Sequence, residues 1–263
     1  MKLESLQPHP AVSGFVSHLI VIENDSPPAG FVLPLIANSY PSLIFQTADS
    51  GPAPIPGGKF HTLSLNGQYV TPLELPFQSR FVLIACFFHP HVLKSLFGID
   101  AAELTDKSID LSLIKPAEGK SLRERLLNAD SAPFRLRLIH DFVWGLIHRD
   151  PEPEANTATA AIGAIRLSKG LVSMGAIQDR LGISERALQR VFESDVGVSP
   201  RMFGRICRFQ SAFQQLEAGR FSKLSDLAYD NGFSDQSHLV RVFKEFTGLT
   251  PTEYLRKRSE LVG

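Results

Sequence analysis

Between residues 177 and 254 the chain contains the same short pattern twice, and this repeat constrains the fold more than any other feature of the sequence. In the first copy a turn at Gly182 precedes an apolar stretch that ends at Phe192. In the second copy Gly232-Phe233-Ser234 precedes a matching stretch that ends at Phe243. The two glycines are 50 residues apart and the two phenylalanines 51, so the copies differ by one residue between serine and leucine. The repeat indicates a duplicated supersecondary unit.

Each copy predicts two helices joined by a tight turn. In the second copy Leu224 and Ala228 lie four residues apart, as on one helical face, and Asn231-Gly232 ends that helix. Ser234 is predicted to cap the next helix, whose apolar residues recur at helical spacing. Ser184 is predicted to do the same in the first copy. Two short helices, the second with long polar side chains on its outer face, are typical of a DNA-reading helix-turn-helix.

A single helix is expected to connect the two copies. Ser199-Pro200 provides a cap and a proline at the first helical position, and the apolar pattern runs to a stop at Gly219. A helix over about residues 200–218 would be roughly 28 Å long. Major-groove faces on one side of B-DNA are about 34 Å apart. The connector could therefore hold two reading heads near the spacing of consecutive grooves. After the second copy, the capping box at Thr250 to Glu253 starts a last helix that ends in a basic run at Arg256 to Arg258.

The second copy resembles the AraC/XylS family of bacterial transcription regulators. The resemblance covers roughly residues 157–258, and its signature is Gly-Phe-Ser at 232–234, Leu239, Arg241-Val242-Phe243-Lys244, Gly248 and Thr250-Pro251-Thr252-Glu253-Tyr254. It implies a seven-helix DNA-binding domain whose two recognition helices enter adjacent major grooves. The base-reading positions that the resemblance implies are Arg186, Gln189, Arg190, Gln236, Ser237, His238 and Arg241.

The seven positions are not equally well placed to contact bases. Arg186 and Gln236, each two residues after a predicted capping serine, are well placed for base edges, where arginine pairs with guanine and glutamine with adenine. Arg190 and Arg241 lie farther into their helices. They could instead reach a phosphate or an internal carboxylate.

The charge distribution agrees with a nucleic-acid partner. The net charge is zero, but residues 157–263 hold 15 basic and 11 acidic residues, whereas residues 1–156 hold 12 and 16. The positive half coincides with the repeat, as phosphate neutralisation requires. The excess is modest, and Gln178 stands where the family usually has a small residue such as Ala228. These two observations leave open a small-ligand-binding module with a weak or degenerate DNA-binding domain.

The first third of the chain is rich in strand-forming residues and turn breakers, and it predicts a small β-sandwich or barrel of the cupin-like kind. It is similar to the modules that often precede AraC-type domains and are presumed to be sensors. The whole fold class is then α+β, with a β-rich N-terminal domain that also contains helices and an all-α double helix-turn-helix domain. The predicted strands are residues 15–22, 31–36, 42–47, 60–65 and 81–88.

Helices are expected after the strands, at residues 90–97 and 122–127, with a turn at residues 100–104 between them. A further helix from Phe134 to Ile147 has a broad apolar face, which either covers the β-rich domain or forms a homodimer seam. The proline-rich acidic segment that follows is typical of an exposed linker. We therefore predict a sensor or dimerisation domain at 1–150, a linker at 151–156 and a DNA-binding domain at 157–263.

Catalytic, metal and cofactor sites are not predicted. The sequence has no nucleophile elbow, phosphate-binding glycine loop or metalloprotease pattern, so a metal-dependent cupin-like enzyme has only a fold analogy behind it. His89 and His91 flank Pro90 without a third ligand nearby. Cys86 and Cys207 are expected to be buried, reduced thiols.

Neither a signal peptide nor an apolar run of transmembrane length is present, which predicts a cytoplasmic protein with no membrane partner. The expected partners are double-stranded DNA, a small-molecule effector, RNA polymerase if the protein is an activator, and a second copy of the chain.

Overall fold

The computed structural model describes residues 1–55, 58–148 and 157–262. The predicted linker at 151–156 and the boundary at residue 150 lie outside the described residues, as does Gly57 between two of the predicted strands.

Short strands run through the described part of the first 88 residues, as the sequence predicts, and one more strand lies at residues 108–110. Their bounds are β1 Lys2–Leu6, β2 Val16–Asn24, β3 Val32–Leu35, β4 Ser42–Ala48, β5 Pro54–Ile55, β6 Gly58–Lys59, β7 Leu63–Asn66, β8 Leu73–Pro76, β9 Phe81–Phe88 and β10 Ser108–Asp110.

Six of these strands make one antiparallel sheet in the order β1-β2-β9-β4-β7-β10. The pairs β3-β8 and β5-β6 form two small sheets. The central strand β9 is buried on both faces, because Val82 and Ile84 join one apolar cluster while Leu83 and Ala85 join another. This two-sided burial explains why β9 reads as a continuous apolar run.

The prediction of a β-rich N-terminal domain is confirmed, but β1, β5, β6, β8 and β10 were not predicted. β1 is an edge strand with mostly exposed side chains, so no apolar alternation marks it. Its register is fixed by backbone pairing with β2, from Lys2 opposite Glu23 to Leu6 opposite Leu19.

Helices cover one face of the large sheet. They are α1 Val92–Phe97, α2 Ala101–Leu104, α3 Leu111–Ile114, α4 Pro116–Asn128 and α5 Ala132–Ile147. On α5 the side chains of Leu138, Ile139 and Val143 are buried in the same cluster as the sheet. The interpretation that this helix covers the β-rich domain therefore fits. Phe134 and Trp144 on the same helix remain 46% and 40% exposed.

Seven α-helices follow within residues 157–262, the number that the family resemblance implies. They are α6 Thr157–Leu167, α7 Met174–Leu181, α8 Glu185–Asp195, α9 Pro200–Glu217, α10 Leu224–Asp230, α11 Gln236–Thr247 and α12 Pro251–Val262. The connector α9 has 18 residues and is therefore about 27 Å long. Along the described ranges, no helix is both long and apolar enough to cross a bilayer.

The N-terminal domain contacts both repeated units. Next to the first unit, the Thr105 hydroxyl donates a hydrogen bond to the Gly197 carbonyl at 2.7 Å. Next to the second unit, the Ala37 amide donates to the Phe246 carbonyl at 3.0 Å, and Ala37 is buried in that unit's apolar cluster. The two halves of the described structure thus share an interface that reaches the ends of both α8 and α11.

Candidate nucleic-acid interface

The first helix-turn-helix unit is built from α7 and α8. Gly182 ends α7 in the left-handed region at a φ of 64°, which a residue with a Cβ adopts only at a cost. The Ser184 hydroxyl then accepts a hydrogen bond from the Ala187 amide at 3.2 Å and caps α8. Leu188 and Phe192 are fully buried and hold α8 against the rest of the unit. The outer side of α8 is left for polar residues.

The departure from the family pattern at Gln178 does not prevent this packing. The Gln178 side chain is half-buried, and its carbonyl accepts hydrogen bonds from the amides of Gly182 and Ile183 in the turn. The neighbouring Ile177 is buried, at 1% exposure, and so is its counterpart Leu227 in the second unit.

The second unit is capped by a different residue from the one the sequence suggested. Asp235, and not Ser234, is the N-cap of α11, since its carboxylate accepts a hydrogen bond from the His238 amide at 2.8 Å. The Ser234 hydroxyl lies one residue outside the helix and donates to the Asp235 carboxylate at 3.1 Å. A carboxylate is also favoured at this position by the positive end of the helix dipole. The prediction that Ser234 caps α11 is therefore wrong.

This correction explains why the two copies differ by one residue. The caps Ser184 and Asp235 are 51 residues apart, the same offset as Phe192 and Phe243. The additional residue therefore lies in the turn of the second unit, and the two recognition helices have the same length from cap to core.

The corrected alignment changes which polar residues of α8 and α11 occupy equivalent positions. Arg190 matches Arg241 at an offset of 51, as expected, but Arg186 matches Ser237. Gln236 is the first residue after its cap and not the second. The expectation that Gln236 and Arg186 occupy equivalent positions is therefore wrong.

The seven residues expected to read bases all lie on the two recognition helices. Those that are exposed are Arg186, Arg190, Gln236, Ser237 and Arg241, and those that are half-buried are Gln189 and His238. Among the described residues, no carboxylate lies within ion-pair distance of the three arginines. Their side chains are thus not committed to internal ion pairs of the described structure.

Two of the seven residues already make contacts within their own unit. The Gln189 amide donates to the Glu193 carboxylate at 2.8 Å, one helical turn further along α8. The His238 ring packs edge-on against Phe233 at 5.3 Å between ring centroids, and its Nδ1 lies 3.2 Å from the Ser234 hydroxyl. Either side chain must exchange these contacts to meet a base.

Electrostatics at the start of α11 favour the ionised cap. The His238 backbone amide, followed by the Ser234 hydroxyl, holds the pKa of the Asp235 carboxyl below its usual range, and the charge of Arg241 acts in the same direction. The cap is therefore charged at neutral pH and sits beside the residues expected to meet DNA.

The basic run that the sequence places at the end of the last helix lies in the middle of α12, which continues to Val262. Lys257 of this run pairs with Glu74 of the N-terminal domain at 3.7 Å, and Arg258 pairs with Glu217 at 3.5 Å. These two side chains are therefore engaged within the protein.

A cleft of about 690 Å³ lies between the two domains, bounded by the segment after β9 and by α6. The Arg166 guanidinium donates a hydrogen bond to the Tyr40 hydroxyl and lies over the Tyr40 ring at 4.6 Å. On the other wall, burial lowers the pKa of His91, whose Nδ1 has no partner among the described residues. Burial and then the Arg166 charge lower the pKa of His18. The cleft thus combines an apolar lining with positive or neutral nitrogen groups.

The two cysteines lie in the interior, and His89 contacts the backbone. Cys86 and Cys207 are free and buried, as predicted, and burial raises the pKa of each thiol to about 12. The His89 Nε2–H donates a hydrogen bond to the Ser13 carbonyl oxygen at 3.1 Å. In the part of the chain that the structure describes, no three His, Cys, Asp or Glu residues are grouped as metal ligands.

Two family models match the chain. Residues 177–257 match a family described as a helix-turn-helix domain, which spans both repeated units and α12 up to residue 257. Residues 4–110 match a domain of unknown function, DUF6597, which spans the β-rich part.

Two curated relatives each match about a third of the chain or less. The Bacillus subtilis protein YesN, an uncharacterised transcriptional regulatory protein, is 31% identical over 84 residues, which are 32% of this chain and 23% of YesN. An uncharacterised helix-turn-helix transcriptional regulator from Haemophilus influenzae is 33% identical over 70 residues, or 27% of this chain and 23% of that protein. The chain thus spans about a quarter of the length of each relative.

Solved structures of one protein match nearly the whole fold. ToxT from Vibrio cholerae O395, bound to (E)-4-(8-methylnaphthalen-1-yl)but-3-enoic acid, has a TM-score of 0.51 at 12% identity and covers 97% of this chain and 98% of its own. An apo ToxT variant from Vibrio cholerae strain SCE256 has a TM-score of 0.50 at 14% identity and covers 90% and 96%. At these identities the likeness concerns the two-domain fold.

Proposed function

Residues 177–257 place the chain in the AraC/XylS family of transcription regulators, and from that premise we propose that it reads two adjacent major grooves of duplex DNA through α8 and α11. One observation carries the proposal. The two recognition helices have matching caps 51 residues apart, expose polar side chains, and are joined by a connector about 27 Å long. That length is close to the separation of about 34 Å between grooves on one side of B-DNA.

The side chains proposed to face the DNA are the seven sequence-predicted residues, Arg186, Gln189, Arg190, Gln236, Ser237, His238 and Arg241. Arg186 is the second residue of its helix and exposed, so its guanidinium is suited to the O6 and N7 of a guanine. Ser237, the equivalent position in α11, can donate to or accept from either base type. The two half-sites would therefore differ in sequence.

Regulation is proposed to come from the N-terminal domain, residues 1–150, acting across the linker at 151–156 on the DNA-binding domain at 157–263. The support is the interface that reaches both units, at Gly197 beside α8 and at Phe246 in α11. A small change in the N-terminal domain could therefore alter both recognition helices at once. The family resemblance favours activation in the cytoplasm through RNA polymerase, with a second copy of the chain as a further partner.

A small-molecule effector is proposed to bind in the cleft between the domains. The support is the cleft's size of about 690 Å³ and its content of Arg166, His89 and His91 beside apolar residues. The ToxT structure that shares the fold holds a carboxylic acid with an aromatic body. An organic anion with an apolar part is the matching class of compound here.

Genome-wide mapping of the sites that the full chain occupies would test the DNA-binding proposal, and gel shifts on the mapped fragments would follow. We expect a bipartite site with two conserved segments about one helical turn apart, and binding that weakens steeply with salt. A reporter downstream of the site should rise with the protein present. Absent or salt-insensitive binding would favour the alternative, a ligand-binding module with a degenerate DNA-binding domain.

A further inference from the structure

Three segments of the DNA-binding domain meet at one arginine. Arg208 lies on the connector α9, and its guanidinium donates to two backbone carbonyls. One acceptor is Gly170, in the loop between α6 and α7 of the first unit, at 3.0 Å. The other is Gly232, in the turn of the second unit, at 3.3 Å. A single side chain therefore links the first unit, the connector and the second unit.

The same place shows close backbone packing. Gly170 has a φ of 75°, and a Cβ built on it would lie 2.0 Å from the Gly204 carbonyl oxygen of α9. A Cβ built on Gly232 would lie 2.3 Å from a methyl carbon of Leu171. The loop of the first unit is thus in contact with α9 on one side and with the turn of the second unit on the other.

A second contact fixes the same turn to the connector. The buried Asn231 side chain donates to Gln215 of α9 at 2.8 Å and to the Leu227 carbonyl at 2.9 Å. Gln215 lies seven residues after Arg208, which is two helical turns along the same face of α9. The turn of the second unit is therefore held at two points along the connector, and Arg208, unlike Gln215, also donates to the loop before α7.

We propose that the contact formed by Gly170, Leu171, Arg208 and Gly232, here called the junction, sets the distance and angle between α8 and α11. The connector packs against both units along its apolar side, where the Phe203 ring contacts Phe192 of α8 and the Phe209 ring contacts Phe243 of α11. The junction adds two hydrogen bonds from one charged donor and the close glycine contacts, and these tie the loop before α7 directly to the turn before α11. The junction thereby selects DNA sites with one number of base pairs between the two half-sites. This inference rests on the proposed two-groove reading.

The test measures how binding depends on half-site spacing. An operator is selected from random duplex DNA with the full chain, and variants with one base pair inserted or deleted between the half-sites are made. One base pair changes the separation by about 3.4 Å and the rotation by about 35°. The wild-type chain should lose affinity by about 5- to 150-fold on these variants, the equivalent of one bidentate base contact.

The variant Arg208→Met keeps an unbranched apolar side chain but removes both hydrogen bonds. We expect its penalty for the altered spacing to fall to about threefold, because the units can then rotate to fit. Arg201→Met is the matched control, since Arg201 lies on the same helix and its ion pair with Glu185 of the first unit is exposed. Arg201→Met loses the same charge as Arg208→Met. Its affinity for DNA should therefore change by a similar factor at every half-site spacing.

Leu171→Ala provides a second, independent variant, because this half-exposed side chain can be shortened without opening a core. It should also relax the spacing dependence. A spacing penalty equal to that of the wild type in folded Arg208→Met or in Leu171→Ala would overturn the inference. If the wild-type chain selected no DNA at all, the proposed function itself would fail.

Discussion

Two serines that look equivalent in the repeat should respond differently to replacement. Ser184→Ala removes the acceptor for the Ala187 amide and leaves the first turn of α8 with an unsatisfied donor. Loss of such a cap costs about 1 kcal/mol of unfolding free energy. Ser234→Ala leaves the cap of α11 in place, because Asp235 provides it. A surface replacement of this kind changes stability by less than about 0.5 kcal/mol.

The difference is large enough to measure by thermal unfolding. For a domain of 150–250 residues, 1 kcal/mol corresponds to a Tm shift of about 2–4 °C. We therefore expect Ser184→Ala to lower the Tm by about that amount and Ser234→Ala by less than about 1–2 °C. Amide hydrogen exchange locates the effect, since the Ala187 amide should exchange faster in Ser184→Ala while the His238 amide in Ser234→Ala remains protected.

Ser184→Asn is the matched control, because asparagine caps helices about as well as serine. It should restore most of the Tm that Ser184→Ala loses. Equal losses for the two alanine variants, or a larger loss for Ser234→Ala, would contradict the assignment of Asp235 as the cap and with it the 51-residue alignment of the recognition helices.

Three further outcomes follow from the structure. Arg186→Ala should weaken binding to the specific site by about 1–3 kcal/mol and should weaken binding to scrambled DNA much less. If gel shifts showed an equal loss of affinity on both DNAs, Arg186 would be a phosphate contact and not a base contact. Gly197→Ala should lower the free energy of unfolding by more than about 1–2 kcal/mol, because φ is 89° at this position and the new Cβ would lie 2.6 Å from the Thr105 hydroxyl. Urea unfolding measures this change, and an unchanged midpoint concentration of urea would refute the steric argument. Because the pKa of Asp235 is lowered in the folded state, its stabilising effect is present above the unfolded pKa and is lost as pH falls through the folded pKa. Melting curves from pH 6 to pH 2 should therefore show a smaller loss of Tm for Asp235→Asn than for the wild type, and identical slopes would contradict this.

Periodicity predicted the parts of the fold that carry a strong local signal. The helix-turn-helix units, the connector and β9 each have an apolar pattern that repeats at the spacing of the element or, in β9, runs without interruption. β1 has no such pattern, because its side chains face solvent and backbone pairing alone defines it. Asp235 was missed for a different reason. Serine and aspartate cap equally well, so the sequence Ser234-Asp235 does not decide between them.

Contacts between distant segments could not be predicted from one sequence. In the sequence, Arg208 is not distinguished from the other polar residues of α9. Its role appears in the fold, which brings the carbonyls of Gly170 and Gly232 to its guanidinium. The same holds for Thr105 and Gly197, which are 92 residues apart in the chain. A glycine in the sequence signals a turn, but the sequence does not show which distant segment of the chain packs against that glycine.

Methylation interference at guanine N7 on a mapped operator tests the central claim most directly, because it reports contacts in the major groove. The account predicts two clusters of interference on one face of the duplex, centred about one helical turn or 10 base pairs apart. It also predicts that Arg186→Ala removes one cluster and leaves the other. A single cluster, or two clusters on opposite faces of the duplex, would contradict the reading of adjacent grooves by α8 and α11.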